Sequence, residues 1–295
     1  MVFCYDIENN RKEGAAISVS HTAIESGILV QNLGPFALDE ILDCGQCFRW
    51  RKKPDGSWCG VVRDTLLKVR QQGDTLLFPG LDEDTFLRVA WPYFDFDTDY
   101  AAINRQILQD PVLRPAREFA PGIRILRQEP FESLCTFIIS QNNNIPRIQG
   151  IIDRLCTLYG ASLPEGGYTF PGPEIFASLT DAQFAPLRCG FRQKYLQDMG
   201  RKLCEGTVRL DDVAALPLTE ARSHLQQIMG VGPKVADCVL LFGFHRLEAF
   251  PIDVWMKRAV SVLYPDGLPE VFGPYAGVAQ QYIFHYARHH RDLFT

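Results

Sequence analysis

Between Phe36 and Phe78 the apolar positions fall in short runs of strand length. Cys47-Phe48-Arg49-Trp50-Arg51, Trp58-Cys59-Gly60-Val61-Val62, Leu66-Leu67-Lys68-Val69-Arg70 and Thr75-Leu76-Leu77-Phe78 are such runs, with Pro54-Asp55-Gly56 and Gln72-Gly73-Asp74 as turns. Aromatic and β-branched residues bounded by Gly, Pro and Asp predict consecutive antiparallel hairpins in a small meander. Residues 1–32 have mixed patterning and little turn punctuation, so they are left open between an unstructured lead-in and early strands.

After Pro79-Gly80 the period lengthens to that of helices. Helices are predicted over Thr85–Trp91, Tyr100–Leu108 and Pro111–Ala120, with an acidic Asp95–Asp99 stretch among them. From Phe131 onward every readable segment is helical: Phe131–Gln141, Ile145–Tyr159, Ala182–Leu187, Gln193–Cys204, Glu220–Ile228, Lys234–Phe242, Val254–Tyr264 and Tyr275–His289. Gly, Pro and Asn punctuate these segments, and no repeat or low-complexity stretch interrupts them. The predicted class is α+β, with an antiparallel sheet domain and flanking helices over residues 1–125 and an all-helical domain over 126–295.

Composition changes this picture little. A chain of 295 residues, 46% hydrophobic and 22% charged, has the make-up of an ordered globular protein of about two domains. No basic-then-apolar leader opens it and no apolar run approaches the ~20 residues of a spanning helix, so an intracellular protein without membrane association is expected. The nine cysteines, at 4, 44, 47, 59, 135, 156, 189, 204 and 238, follow no disulfide framework and read as reduced thiols. Cys44 and Cys47 have C-x-x-C spacing, but no second pair accompanies them, which argues against metal. A net charge of −5 argues against indiscriminate nucleic-acid binding and makes the placement of the arginines the relevant question.

The stretch with the most chemistry is Leu225–Trp255, in which two apolar helical patterns flank Met229-Gly230-Val231-Gly232-Pro233. Glycines here permit φ > 0 and leave amides uncovered, while Pro233 suits a helix start, where leading N–H groups lack partners and bind phosphate. Gly230, Val231 and Gly232 are therefore candidate contacts to a DNA backbone; the plain alternative is a tight αα-corner. Lys234 follows at once. An amine in a helix's first turn meets the positive end of the macrodipole and is expected to titrate below the ~10.4 of an ordinary lysine, which would make it a nucleophile rather than a solvated surface charge. Asp253 stands where a helix N-cap belongs, and a carboxylate there can also stabilise positive charge developing on a sugar.

The hairpin, the lysine behind it and the downstream aspartate resemble the helix-hairpin-helix DNA glycosylases, specifically the lysine-bearing bifunctional ones. Cys44-Gly45-Gln46-Cys47-Phe48-Arg49-Trp50, LRQEPFESLCTFIISQNNNIPRI over 126–148 and Gly273-Pro274-Tyr275-Ala276-Gly277-Val278-Ala279-Gln280 narrow the resemblance to the 8-oxoguanine DNA glycosylase family, from about Phe36 to His289. That resemblance implies excision of 8-oxoguanine opposite cytosine from duplex DNA, then strand cleavage by β-elimination through a Schiff base on Lys234, with Asp253 stabilising the transition state. It implies lesion contacts at Gly45, Cys238, Gln280 and Phe284, the Gly45 carbonyl accepting the N7–H that only the oxidised base carries. It also implies contacts to the orphaned cytosine from Asn142, Arg147 and Arg192, with Phe191 as a wedge in the stack. Read as residues alone, Cys238 and Phe284 are core positions at helical spacing, and Arg147 and Arg192 surface charges.

Three positions depart from well-known members. Phe191 replaces a tyrosine, Trp255 a phosphate-contacting histidine of eukaryotic members, and Gln141 a serine, which together suggest a divergent, bacterial member acting in the cytoplasm or nucleoid, the nucleus being the alternative for a eukaryotic one. No diffusible cofactor or metal is expected, apart from a structural monovalent cation on the hairpin carbonyls; the iron-sulfur cluster of some relatives is excluded, because no cysteine follows Cys238. A monomer working on duplex DNA is expected. The competing readings are a monofunctional alkylpurine glycosylase, which needs no amine at Lys234, and a non-enzymatic DNA-binding module.

Overall fold

The structure, a computed structural model, describes residues 19–294. Six antiparallel strands form one sheet in the order β1-β2-β6-β5-β4-β3: β1 Ser20–Ile24, β2 Gly27–Gln31, β3 Arg51–Lys52, β4 Trp58–Val62, β5 Thr65–Gln72 and β6 Thr75–Pro79. Three of the four predicted runs are strands. The fourth is not: residues 44–50 are irregular, and only Arg51–Lys52 pairs, against Cys59 and Trp58. The question left open at residues 1–32 resolves in part, since 20–31 form the β1–β2 hairpin, with Ile28 opposite Phe78 on β6; residues 1–18, Cys4 included, lie outside the described residues.

The inward face of the sheet carries Ile28, Val30, Leu67, Val69, Leu76 and Phe78, all 0–1% exposed. A helical segment over 83–93 covers it with Phe86 and Val89 and contains a π-turn at Phe86–Ala90; α1, Leu38–Asp43, closes the sheet's end with Leu38 and Ile41. Sequence patterning showed no α1, because six residues are too few to display a helical period.

The larger core is helical. It is built from α2 Tyr100–Ile107, α3 Arg114–Phe119, α4 Pro130–Ser140, α5 Ile145–Tyr159, α6 Pro173–Ser178, α7 Gln193–Cys204, α8 Leu210–Ala215, α9 Leu218–Leu225, α10 Pro233–Phe242, α11 Val254–Leu263 and α12 Ala276–His289. The short helices α6 and α8 are additions to the expected set. Residues 100–125 also pack into this core, through Ile103, Ile107, Ala116 and Ile125. Their apolar faces find no room on the sheet, whose inner layer is already filled by the aromatic side chains of Phe86, Phe94 and Phe96.

One buried carboxylate ties three segments together. Asp95, in a left-handed conformation at φ 54°, accepts from Arg127 Nε at 2.6 Å, Thr98 Oγ1 at 2.9 Å and the Tyr100 hydroxyl at 2.9 Å, with His245 Nε2 at 3.0 Å. Arg127 leads into α4 and His245 follows α10, so Asp95 anchors the outlet of the helix that begins with Pro233 and Lys234. Burial pushes this carboxyl up, but His245 and Arg127 outweigh it and hold it at about 2. A depressed carboxylate stabilises the fold above its unfolded pKa and loses that contribution as pH falls through the folded one. Asp95→Asn is therefore expected to lower stability at neutral pH by about 2 kcal/mol. Urea unfolding should show the gap from wild type closing as pH falls from about 4 to about 2.

Candidate active site

Two adjoining cavities lie where the sheet half meets the helical half. The outer groove, about 410 Å³, is walled by Gly45 and Phe48 on one side and Asn143, Asn144, Lys234 and Asp253 on the other. The inner chamber, about 40 Å³, shares Gly45, Lys234, Asp253 and Phe284 with it and adds Cys238, Gln280 and Gln281. Every residue expected at the nucleophile and lesion positions thus lines one continuous recess.

Lys234 sits in the first turn of α10, half-buried, its Nζ 5.4 Å from the centre of the Phe137 ring. Phe137 is held from behind by Phe242, stacked at 5.3 Å, and from the side by Phe48 at 5.7 Å. An aromatic face attracts an ammonium and limits the conformations of a long side chain, so the ring holds the amine over the recess. Phe137 and Phe48 escaped sequence reading because at helix or strand spacing they are indistinguishable from core. Asp253 does cap α11, Oδ1 accepting from Met256 N at 2.7 Å, and lines both cavities. Capping and wall position are compatible, as the N-cap residue of a helix that ends at a cavity faces that cavity.

The hairpin is braced from α7. Gly230 adopts φ +80°, and a Cβ there would sit 2.4 Å from the Tyr195 ring, so glycine is required twice over. Asp198 accepts from Met229 N at 2.7 Å, and Lys202 bonds both Asp198 and the Gln227 carbonyl. Gly232, the N-cap of α10, supplies no side-chain cap, which leaves the leading amides of α10 without that partner.

On the sheet side, Gln46 determines where Gly45 stands. Its fully buried amide donates to the carbonyls of Ile41 at 3.0 Å and Arg124 at 2.8 Å and accepts from Leu126 N at 2.9 Å, while its own carbonyl accepts from Gln128 Nε2 at 2.7 Å. This clamp replaces the expected strand pairing of residues 47–50 and holds Gly45, at φ +83°, against Phe284: a Cβ there would be 3.5 Å from the ring. Burial pushes the neighbouring Cys44 thiol up to about 12, so the C-x-x-C pair is neutral and inert, and among the described residues no cluster of three or more His, Cys, Asp or Glu is placed to hold a metal. Cys238, 3% exposed, is likewise raised by burial, with Lys234 opposing, and remains a thiol.

The three asparagines between α4 and α5 have three tasks. Asn144 caps α5, accepting from Arg147 N at 3.0 Å, and Asn143 Nδ2 donates to Ile139 O at 3.1 Å. Asn142 takes the left-handed conformation, φ 47°, that asparagine tolerates best among side-chain-bearing residues, and is exposed. Arg147 is exposed as well. Arg192 differs from expectation: at 2% exposed it spends its fork on backbone, Nε on Gln141 O at 2.9 Å, Nη2 on Asn142 O at 2.9 Å and Nη1 on Cys189 O at 3.1 Å. Burial, then the nearby charge of Arg147, lowers its pKa. Its guanidinium lies 4.4 Å from the ring centre of Phe191, which is half exposed. The surface thus presents Asn142, Arg147 and Phe191 directly, and Arg192 as the brace beneath them.

At the groove's mouth Trp255 lies between the guanidiniums of Arg258 at 5.2 Å and Arg291 at 5.4 Å, with Arg288 on the same wall and bonded to Asp43 O at 2.8 Å. Sequence reading singled out Trp255 but none of these arginines, whose convergence from two segments no local pattern reveals. They concentrate positive charge on an otherwise acidic chain.

A helical bundle with a glycine hairpin, a lysine behind it and a capping aspartate defines the helix-hairpin-helix base-excision class, and residues 135–267 match the HhH-GPD superfamily of base excision DNA repair proteins. Residues 28–134 match the N-terminal domain of 8-oxoguanine DNA glycosylase. The N-glycosylase/DNA lyase of Saccharomyces cerevisiae is 31% identical over 265 residues, 79% of this chain and 69% of that protein. The Arabidopsis thaliana N-glycosylase/DNA lyase OGG1 is 28% identical, over 81% of this chain and 74% of its own length. Among solved structures, the Clostridium acetobutylicum 8-oxoguanine glycosylase/lyase, in complex with double-stranded DNA containing cytosine opposite 8-oxoguanine, superposes with a TM-score of 0.85 at 37% identity, over 92% of this chain and 98% of that one. The chain belongs to the 8-oxoguanine DNA glycosylase/lyase family.

Arg192→Lys keeps the charge but cannot span three carbonyls, and is expected to cost about 1.5–3 kcal/mol in chemical denaturation. Amide hydrogen exchange should accelerate at Asn142–Asn144 while the sheet is unaffected.

Proposed function

We propose that this chain excises 8-oxoguanine paired with cytosine in duplex DNA and then nicks the strand through a Schiff base on Lys234. The observation that carries this reading is the pairing of an aromatic-held amine and a helix-capping carboxylate on the wall of one recess whose other surfaces are a flat ring, a thiol and two amides. Lys234 attacks C1′ as the bond to the base breaks, and the electron pair leaves with the base. Asp253 stabilises the positive charge that builds on the sugar. Opening of the sugar ring converts the aminal to an iminium, which acidifies C2′–H, and loss of that proton expels the 3′ phosphate.

The inner chamber, at about 40 Å³, has room for no more than about three waters, so a purine enters only after Phe284 and the Gln280–Pro251 bond yield. Cys238 and Phe284 would then face the two sides of the base, and the Gly45 carbonyl would take the N7–H of the oxidised ring; ordinary guanine presents an acceptor there instead. Asn142 and Arg147 would meet the orphaned cytosine, with Phe191 in the gap. Gly230, Val231 and Gly232 with the α10 amides, and Trp255 with Arg258 and Arg291, would hold phosphates on either side of the kink.

We infer a monomer, since one chain supplies the whole recess, and a reaction without diffusible cofactor. For the structural cation, two hairpin carbonyls are already engaged, Ile228 O by Val231 N at 3.0 Å and Gln227 O by the Lys202 ammonium.

Borohydride trapping on a duplex with one 8-oxoguanine opposite cytosine is the test. Wild type should form a covalent adduct that needs both the lesion and Lys234, and Lys234→Gln should lose excision by at least about 1,000-fold, on the order of 4 kcal/mol. Base loss without an adduct would make the enzyme monofunctional, and equal binding to undamaged duplex without base loss would make it a binding module. Asn142→Ala should reduce the preference for cytosine over other opposite bases by about tenfold, roughly 1.4 kcal/mol, in single-turnover assays.

A further inference from the structure

The carboxamides of Gln280 and Gln281 form a directed chain along the inner chamber. Pro251 O is an acceptor, so the Gln280 atom 3.1 Å from it is the donor Nε2. That choice turns Gln280 Oε1 toward Gln281, and the Gln281 atom 3.2 Å from it must in turn be Nε2. Turning either amide over would bring two oxygens face to face. The chain ends on Gln281 Oε1, which is buried and has no hydrogen-bond partner among the described residues, in a side chain 3% exposed that lines the chamber with Lys234 and Cys238. Buried acceptors are seldom left without a donor, so this oxygen points to a ligand that brings one.

We propose that Gln281 is a specificity-determining residue of this chamber, its carbonyl accepting a hydrogen from the 2-amino group of the extruded purine. This rests on the reading that the chamber takes the base. Pro251, Gln280 and Gln281 all line the chamber, and each brings one acceptor oxygen to the chain. A guanine-type edge offers N1–H and the two hydrogens of N2 as donors. A hypoxanthine edge keeps N1–H alone, and an adenine edge puts an acceptor at N1. When the base enters, Pro251 O exchanges the Gln280 N–H for a donor of the base, and Gln281 Oε1 gains its first partner. The lesion is thus selected for its guanine identity on this wall and for its oxidation at the Gly45 side.

The experiment compares single-turnover excision of 8-oxoguanine and of 8-oxohypoxanthine, which lacks only the 2-amino group, each opposite cytosine, by wild type, Gln281→Met and Gln281→Ala. Wild type should favour 8-oxoguanine by about tenfold or more, and both variants should lose about tenfold more on 8-oxoguanine than on 8-oxohypoxanthine. The alanine variant adds no bulk and carries the test if the methionine variant fails to fold. Equal losses on the two bases, or an unchanged ratio between them, would make Gln281 a structural amide and overturn the proposal alone, with the borohydride adduct of wild type intact. No excision of either base by wild type would overturn it together with the reading of the chamber.

Discussion

The recess exists because a loop from the sheet half is held against a helix of the other half, and the carboxamide of Gln46 does the holding. Its hydrogen bonds run to Ile41, Arg124 and Leu126, and its backbone carbonyl takes a further one from Gln128. Buried amides whose oxygen and both N–H groups are engaged are rigid, because each alternative orientation leaves an unpaired group in a dry interior. Gly45 inherits that rigidity and is set at φ +83° against Phe284 on α12. Arg288, one turn beyond Phe284, reaches back to Asp43 and closes the same seam. The wall that would test a base for oxidation is therefore fixed by groups that never touch the base.

The same economy recurs in the helical half, where charged groups expected to act on a ligand also hold backbone. Asp253 caps α11 while lining both cavities. Arg192 lies under the asparagine loop and gives its N–H groups to Gln141, Asn142 and Cys189, so the exposed Asn142 and Phe191 are presented on a backbone that a guanidinium has stiffened. Lys234 is steadied by the Phe137 face, itself packed against Phe242 and Phe48. Preorganisation of this kind places the cost of ordering in the folding reaction, so that it need not be met again when DNA binds.

Electrostatics supplies the third constraint. The chain carries a net charge of −5, yet its groove mouth gathers Arg258 and Arg291 on Trp255 and Arg288 on the same wall, with Arg147 exposed in the first turn of α5. Attraction to a phosphate backbone depends on the local field rather than the net charge, and an acidic remainder weakens binding at every other surface. The neutral thiol of Cys238 fits the same scheme, since a thiolate in the recess would repel the departing anionic base.

Local chemistry made part of this legible from the residues alone. The glycine hairpin, the lysine behind it, the N-cap aspartate and most helices follow from short-range rules of φ, capping and periodicity, which need no knowledge of the fold. The Asn142–Asn144 run could be read as doing more than capping, since a cap uses one residue. Irregular structure was not legible: residues 44–50 have the composition of a strand but are pulled into a loop by Gln46, whose partners lie about eighty residues away in sequence. Nor could composition tell Phe137 from core, find the arginines beside Trp255, bury Arg192 beneath the asparagine loop, or leave Gln281 Oε1 as the last atom of an amide chain. Each of these depends on which segments meet across the recess, and long-range packing, not local propensity, decides which side chains end at its wall and which are spent on the backbone.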